Sequence, residues 1–250
     1  MKYLFFVIIV SFLFQSSNRI NDMVSNKLPT YEEAMKFKFG SKTEYEVYEK
    51  KGKGYYRSFN HKMTKGPKIK LKIAINTDNY RDFPGRQQNV KLENGYLAGF
   101  DGGEFGGSLY WFGNNGIDNY KICNGRIKDI ILNEDTIFVM EGLSHLGSNN
   151  GKILELELNN GKWVSKEFLN LKQVPYAAKL NSKNELIVLT SKQLLKIGLD
   201  KKMTELISDG FWSSLYPNSS IILNDVVFFG MRNGLLKMDL NTDKAEWLTE

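Results

Sequence analysis

The stretch Ile153-Leu154-Glu155-Leu156-Glu157-Leu158-Asn159-Asn160-Gly161-Lys162-Trp163-Val164-Ser165-Lys166-Glu167-Phe168 decides the class of fold. Ile153 to Leu158 carries the two-residue alternation of a half-buried strand. Asn159-Asn160-Gly161 has the composition of a tight hairpin turn. Trp163 to Phe168 then returns as a second, more polar strand.

The same kind of unit recurs four times from about residue 88 onward. Its first two strands and their turn read Val90 to Leu97, Ile131 to Val139, Lys179 to Val188 and Ile222 to Phe228. The turns between them are built from Asn, Asp, Glu and Gly, which tolerate hairpin geometry. The marker residues Leu92, Leu132, Leu180 and Leu223 stand 40, 48 and 43 residues apart. Third strands follow at Gly107 to Trp111, Gly151 to Leu156, Gln193 to Ile197 and Gly234 to Leu240. A fourth strand closes the unit, as Lys244 to Leu248 does after Asn241-Thr242-Asp243.

Four short antiparallel strands per unit, at a spacing in the forties, resemble the blades of the β-propeller superfamily. The resemblance covers Asn89 to the C-terminus. It carries no signature of a particular propeller family: no repeated Gly-His and Trp-Asp pair, and no double glycine in each unit. It implies an all-β β-propeller of about five four-stranded blades, four clear repeats plus an irregular N-terminal one. A four-bladed ring with an N-terminal elaboration is the other reading.

Upstream of the repeats the chain divides into residues 1–17, 18–42 and 43–88, the last forming one domain with 89–250. Thr30-Tyr31-Glu32-Glu33 has capping-box form and predicts a short helix over Tyr31 to Phe37. Glu44 to Tyr48, Tyr55 to Phe59 and Lys68 to Ile75 read as strands.

Residues 1–17 read as a signal peptide. Lys2 is a short positive start, Leu4 to Phe14 is apolar, and Gln15-Ser16-Ser17 ends the run. Export to a periplasm, cell envelope or medium is expected. A retained membrane anchor and a buried strand are the alternatives, and Gln15 is not the small residue a cleavage site prefers. The one cysteine, Cys123, allows no intramolecular disulfide, and its alternating surroundings make it a small buried hydrophobe.

Aromatics make up 13% of the 250 residues, which suits pleated strands. The formal charge is +6. Its densest basic stretch runs from Lys50 to Lys72 and includes Arg57, His61, Lys62, Lys65, Lys68 and Lys70. That is the pattern of a solvated hairpin edge, with an anion-binding patch as the other reading, and no nucleic-acid signature accompanies it. Nucleic-acid partners are not expected. There is no G-x-S-x-G, H-E-x-x-H, phosphate loop or paired-cysteine motif. With two histidines, His61 and His145, multi-histidine metal sites are out of reach. No metal or cofactor is expected. Asn218-Ser219-Ser220 matches a glycosylation acceptor by chance unless the host is eukaryotic.

In a propeller, the turn between second and third strands shares a face with the link to the next blade, and that face commonly takes ligands. The resemblance therefore gathers Asp101, Glu104, Glu141, His145, Tyr176, Trp212, Tyr216 and Arg232 on one face. Each has a plainer role: Asp101 as a turn residue, Arg232 as an inter-blade ion pair, His145 as a solvated side chain, Trp212 and Tyr216 as plugs. The glycine pairs of Gly102-Gly103-Glu104-Phe105-Gly106-Gly107 suit close approach to a ligand or to the adjacent blade. Three functions stay open: a monomeric module binding a protein, peptide or glycan, a hydrolase or lyase using loop carboxylates and a histidine, and an envelope-anchored structural or assembly factor. The membrane is a partner only if the N-terminal segment is retained.

Overall fold

A computed structural model describes residues 18–40, 43–58, 65–66, 85–115, 117–134 and 136–250. The expected signal peptide, the basic residues His61, Lys62, Lys68 and Lys70, and the strand expected at Lys68–Ile75 lie outside the described residues.

The chain begins with β1 (Asn18–Arg19), β2 (Val24–Asn26) and helix α1 (Tyr31–Phe39). Blade 1 holds β3 (Tyr45–Lys50), β4 (Lys53–Ser58) and, outermost, β1. Blade 2 holds β5 (Arg86–Leu92), β6 (Gly95–Asp101), β7 (Gly107–Gly113) and β8 (Asn119–Asn124). Blade 3 holds β9 (Ile127–Asn133), β10 (Thr136–His145), β11 (Ser148–Asn159) and β12 (Lys162–Asn170). Blade 4 holds β13 (Pro175–Leu180), β14 (Leu186–Thr190), β15 (Leu194–Ile197) and β16 (Met203–Ile207). Blade 5 holds β17 (Ser219–Leu223), β18 (Val226–Met231), β19 (Gly234–Asp239) and β20 (Lys244–Thr249), with β2 added outside β20. β5 packs on β9, β9 on β13, β13 on β17 and β17 on β3, so the first strand of each blade faces the ring axis. The protein is a five-bladed β-propeller.

Turn chemistry sets the hairpins. Leu158 pairs with Trp163 and Asn159 with Lys162, leaving Asn160-Gly161 as a two-residue turn. Both have positive φ, 48° and 76°, the type I′ geometry that Asn-Gly favours. Lys51-Gly52 does the same between β3 and β4, with φ of 53° and 70°. The turn between β10 and β11 is also a tight hairpin. His145 pairs with Ser148 around Leu146-Gly147, so β10 and β11 project beyond the other blades' turns.

The strand alternation buries an apolar cluster in four of the gaps between blades. Leu97, Ile137, Val139 and Leu154 fill the gap between blades 2 and 3. Phe138, Ile153, Val188 and Leu195 fill the next. Ile187, Trp212, Phe229 and Leu236 join blades 4 and 5, with Ala34 of α1 against them. Tyr45, Val47, Ile221 and Leu235 join blades 5 and 1. α1 is capped as its sequence predicts: Thr30 Oγ1 accepts from Glu33 N, and Glu33 Oε2 accepts from Thr30 N at 2.8 Å. It runs two residues past the expected Phe37 because Asn233 Nδ2 and Arg232 Nη1 donate to the Phe37 and Lys38 carbonyls.

The inner strands are also tied by polar contacts. Asp129 is buried on β9 and accepts from Gln88 Nε2 (2.6 Å) of β5, from Lys65 Nζ (2.9 Å) paired beside β5, and from Ala178 N (3.2 Å) of β13. Ser220 Oγ donates to Ala178 O, and Val47 N donates to Ser219 Oγ. Arg86 reaches across the axis from blade 2 to donate to Asn218 O beside blade 5, at 2.8 Å.

Candidate functional site: a groove at the seam of blades 2 and 3

Successive strands of a blade are antiparallel, so the 101–107, 145–148 and 231–234 turns share one face with the links 125–126, 171–174 and 208–218. On that face the projecting β10–β11 hairpin of blade 3 stands beside the 102–107 turn of blade 2. One cavity of about 360 Å³ lies against blade 3 and another of about 290 Å³ against the blade 2 turn, and Arg126 lines both. These volumes fall around the low end of the ~300–1,000 Å³ typical of small-molecule sites.

The larger cavity is walled by the face of blade 3. Glu141, Lys152 and Asn170 sit side by side there on β10, β11 and β12, and Leu143 is paired with Asn150 one step further out. Lys152 Nζ is 3.7 Å from Glu167 Oε2. The smaller cavity is lined from blade 2 by Glu104, Phe105, Gly107 and Asn124. Phe105 keeps 71% of its surface exposed on the rim.

Arg126 is fixed at one end and open at the other. Its Nε donates to Gly103 O at 2.9 Å, and its backbone N donates to Glu141 Oε1 at 3.3 Å. Among the described residues no hydrogen bond reaches its two Nη atoms. Glu141 can lie this close because Gly125 has no Cβ: one built there would fall 2.6 Å from Glu141 Cγ. His145 Nε2 and Glu104 Oε2 meet at 2.7 Å and clasp the two walls together.

The eight residues singled out by sequence fall into three settings. Glu104, Glu141 and His145 are at this groove. Asp101 is beside it, but its carboxylate is engaged by Lys128 Nζ at 2.6 Å and by Gly103 N. Tyr176, Tyr216 and Arg232 form a second group across blades 4 and 5. Arg232 lies over the Tyr216 ring at 4.5 Å and pairs with Glu44 at 2.8 Å. Burial pushes the Tyr176 hydroxyl above its ordinary range, although a hydrogen bond with Ser144 opposes this. Trp212 is apart from both groups. It is fully buried, and its Nε1 donates to Thr190 O at 2.8 Å, so a ligand on the face does not reach it.

Arg126, Lys152, Asn150 and Asn170 were not singled out. Arg126 had a readable signal, a cation directly after a glycine in the link between repeats. The other three look like ordinary polar strand positions, because only the overhang of the hairpin exposes them to a cavity. Among the described residues, no three His, Cys, Asp or Glu side chains gather to hold a metal. Asn218 is buried, which removes it as a glycosylation acceptor in the folded chain. Cys123 is partly buried beside the blade 2–3 cluster, and burial pushes its thiol up.

No family model matches the chain, and no curated protein sequence matches it. Solved structures do. The extracellular domain of a putative one-component system from B. thetaiotaomicron has a TM-score of 0.50 at 12% identity, over 90% of this chain and 29% of that one. PorZ, a surface component of the type-IX secretion system of Porphyromonas gingivalis, has a TM-score of 0.47 at 8% identity, over 76% of this chain and 29% of PorZ. A gluconolactonase from Xanthomonas campestris has a TM-score of 0.45 at 9% identity, over 67% of this chain and 57% of the enzyme. The chain thus spans between about a third and three fifths of the length of these proteins. The likeness is one of fold.

Proposed function

We propose that this chain is an exported propeller that acts as a binding module, taking a small polar ligand in the groove between blades 2 and 3. The observation that carries this reading is Arg126, which is held at its Nε and backbone, lines both cavities and has no hydrogen bond to its Nη atoms among the described residues. A guanidinium fork so placed is a pre-set donor pair for oxygen atoms of a ligand. The surrounding carboxylates and amides supply acceptors and further donors, a usual composition for a polar recognition site. The support for export is the apolar run Leu4 to Phe14 after Lys2. Among the described residues no helix is long and apolar enough to cross a membrane.

The test is ligand-observed NMR on the full chain against a panel of small polar molecules, repeated with Arg126→Ala. Binding by the wild type that disappears in the variant supports the groove. Binding of equal strength to both proteins refutes it.

A further inference from the structure

Resting on that reading, we infer that the ligand is a neutral saccharide, one sugar ring of which lies against the blade 3 wall with Phe105 at its edge.

Charge argues first. The walls present Arg126 and Lys152 together with Glu104, Glu141 and Glu167. A net anion entering here meets three carboxylates, and a net cation meets the guanidinium and the ammonium. A neutral hydroxyl has neither penalty. It donates to a carboxylate and accepts from Arg126 Nη, Lys152 Nζ or an Asn side-chain amide with the same oxygen. Vicinal hydroxyls can also bridge the two Nη atoms, as the two oxygens of a carboxylate do.

Spacing argues second. Glu141, Lys152 and Asn170 are register partners on three neighbouring strands, so acceptor, donor and amide repeat at about 4.8 Å. That is the scale of one pyranose ring.

At the base of the wall Glu141 and Lys152 lie on strands paired on both sides, so recognition at these positions comes from side chains. Phe105 adds the remaining element. Its exposed ring offers the electron-rich face against which the C–H face of a sugar stacks.

The experiment is a titration of the full chain, followed by NMR or calorimetry. The neutral probes are methyl β-glucopyranoside, cellobiose and N-acetylglucosamine. Glucuronate, glucosamine and glycylglycine are the charged comparisons. At least one neutral sugar should bind, and both Arg126→Ala and Asn150→Ala should weaken it at least tenfold. The second variant matters because Asn150 Nδ2 bonds only to exposed Ser148 Oγ, so its loss leaves the fold intact. If glucuronate or glycylglycine binds more tightly than every neutral sugar, the ligand class is overturned and the groove stands. If a neutral sugar binds but neither substitution weakens it, the location is overturned. If no probe of any class binds, both the inference and the groove reading fall.

Discussion

Arg232 Nη2 lies 2.8 Å from Glu44 Oε1, and with that contact the last blade is joined to the first. The side chains are 16% and 4% exposed, so the pair is largely out of water. Removing one partner of such a pair leaves the other charge buried and costs on the order of 3–5 kcal/mol. Arg232 also supplies a donor to the C-terminal turn of α1. Arg232→Ala should therefore lower the melting temperature markedly. It should leave ligand affinity at the blade 2–3 groove unchanged in the protein that remains folded, which titration below the new melting temperature checks.

Asp129 sets an acid limit on stability. Burial alone would raise its carboxyl, but the Lys65 ammonium and hydrogen bonds from Gln88 and Ala178 N hold it below the ordinary carboxylate range. A depressed folded-state value means the stabilisation is complete above the unfolded value of about 3.9 and is lost as pH falls through the folded one. Melting temperature should accordingly fall as pH drops below about 4. Asp129→Asn should be less stable at neutral pH, and the part of the acid dependence due to this group should vanish. Parallel pH–melting curves of the two proteins check both points.

Gly107 tests how the groove floor is built. A Cβ at this position would strike Phe100 O and come within 2.6 Å of Gly125 O, both backbone atoms that cannot swing away. Gly107→Ala should cost about 1–3 kcal/mol by overpacking, read as a lower urea midpoint. Gly147→Ala is the control at the hairpin tip: its Cβ meets nothing within 4 Å, so only the strain of a positive φ of 83° remains.

Export gives a mass. Cleavage after Ser17 would release a chain starting at Asn18, and intact-mass measurement of protein from the native host should show the loss of residues 1–17. Soluble cytoplasmic protein retaining Met1 would overturn export.

The fold was readable because each repeat states its own hairpins. Leu92, Leu132, Leu180 and Leu223 mark equivalent inner-strand ends, and turns such as Asn160-Gly161 name their geometry outright. The candidate site was readable only in part. Glu104, Glu141 and His145 sit where their repeat positions place them. The buried ties Gln88, Asp129 and Arg86 were not, since a polar residue on an inner strand has the same alternation whether it faces water or another blade. Trp212 shows the converse. An aromatic in a link looks like a surface anchor until the neighbouring blade supplies the Thr190 carbonyl that its indole needs.

The placement of β1 and β2 has a consequence for biogenesis. Residues 18–26 lie at the start of the chain, yet β2 completes its pairing only on β20, at Thr249, Leu248 and Trp247. The ring therefore cannot lock until β20 has been made: the earlier segment waits for the last strand of blade 5. Contacts of such sequence separation slow folding. A chain held open in this way remains threadable, and if it is exported as proposed, the propeller closes only after β20 has followed the earlier strands across the membrane.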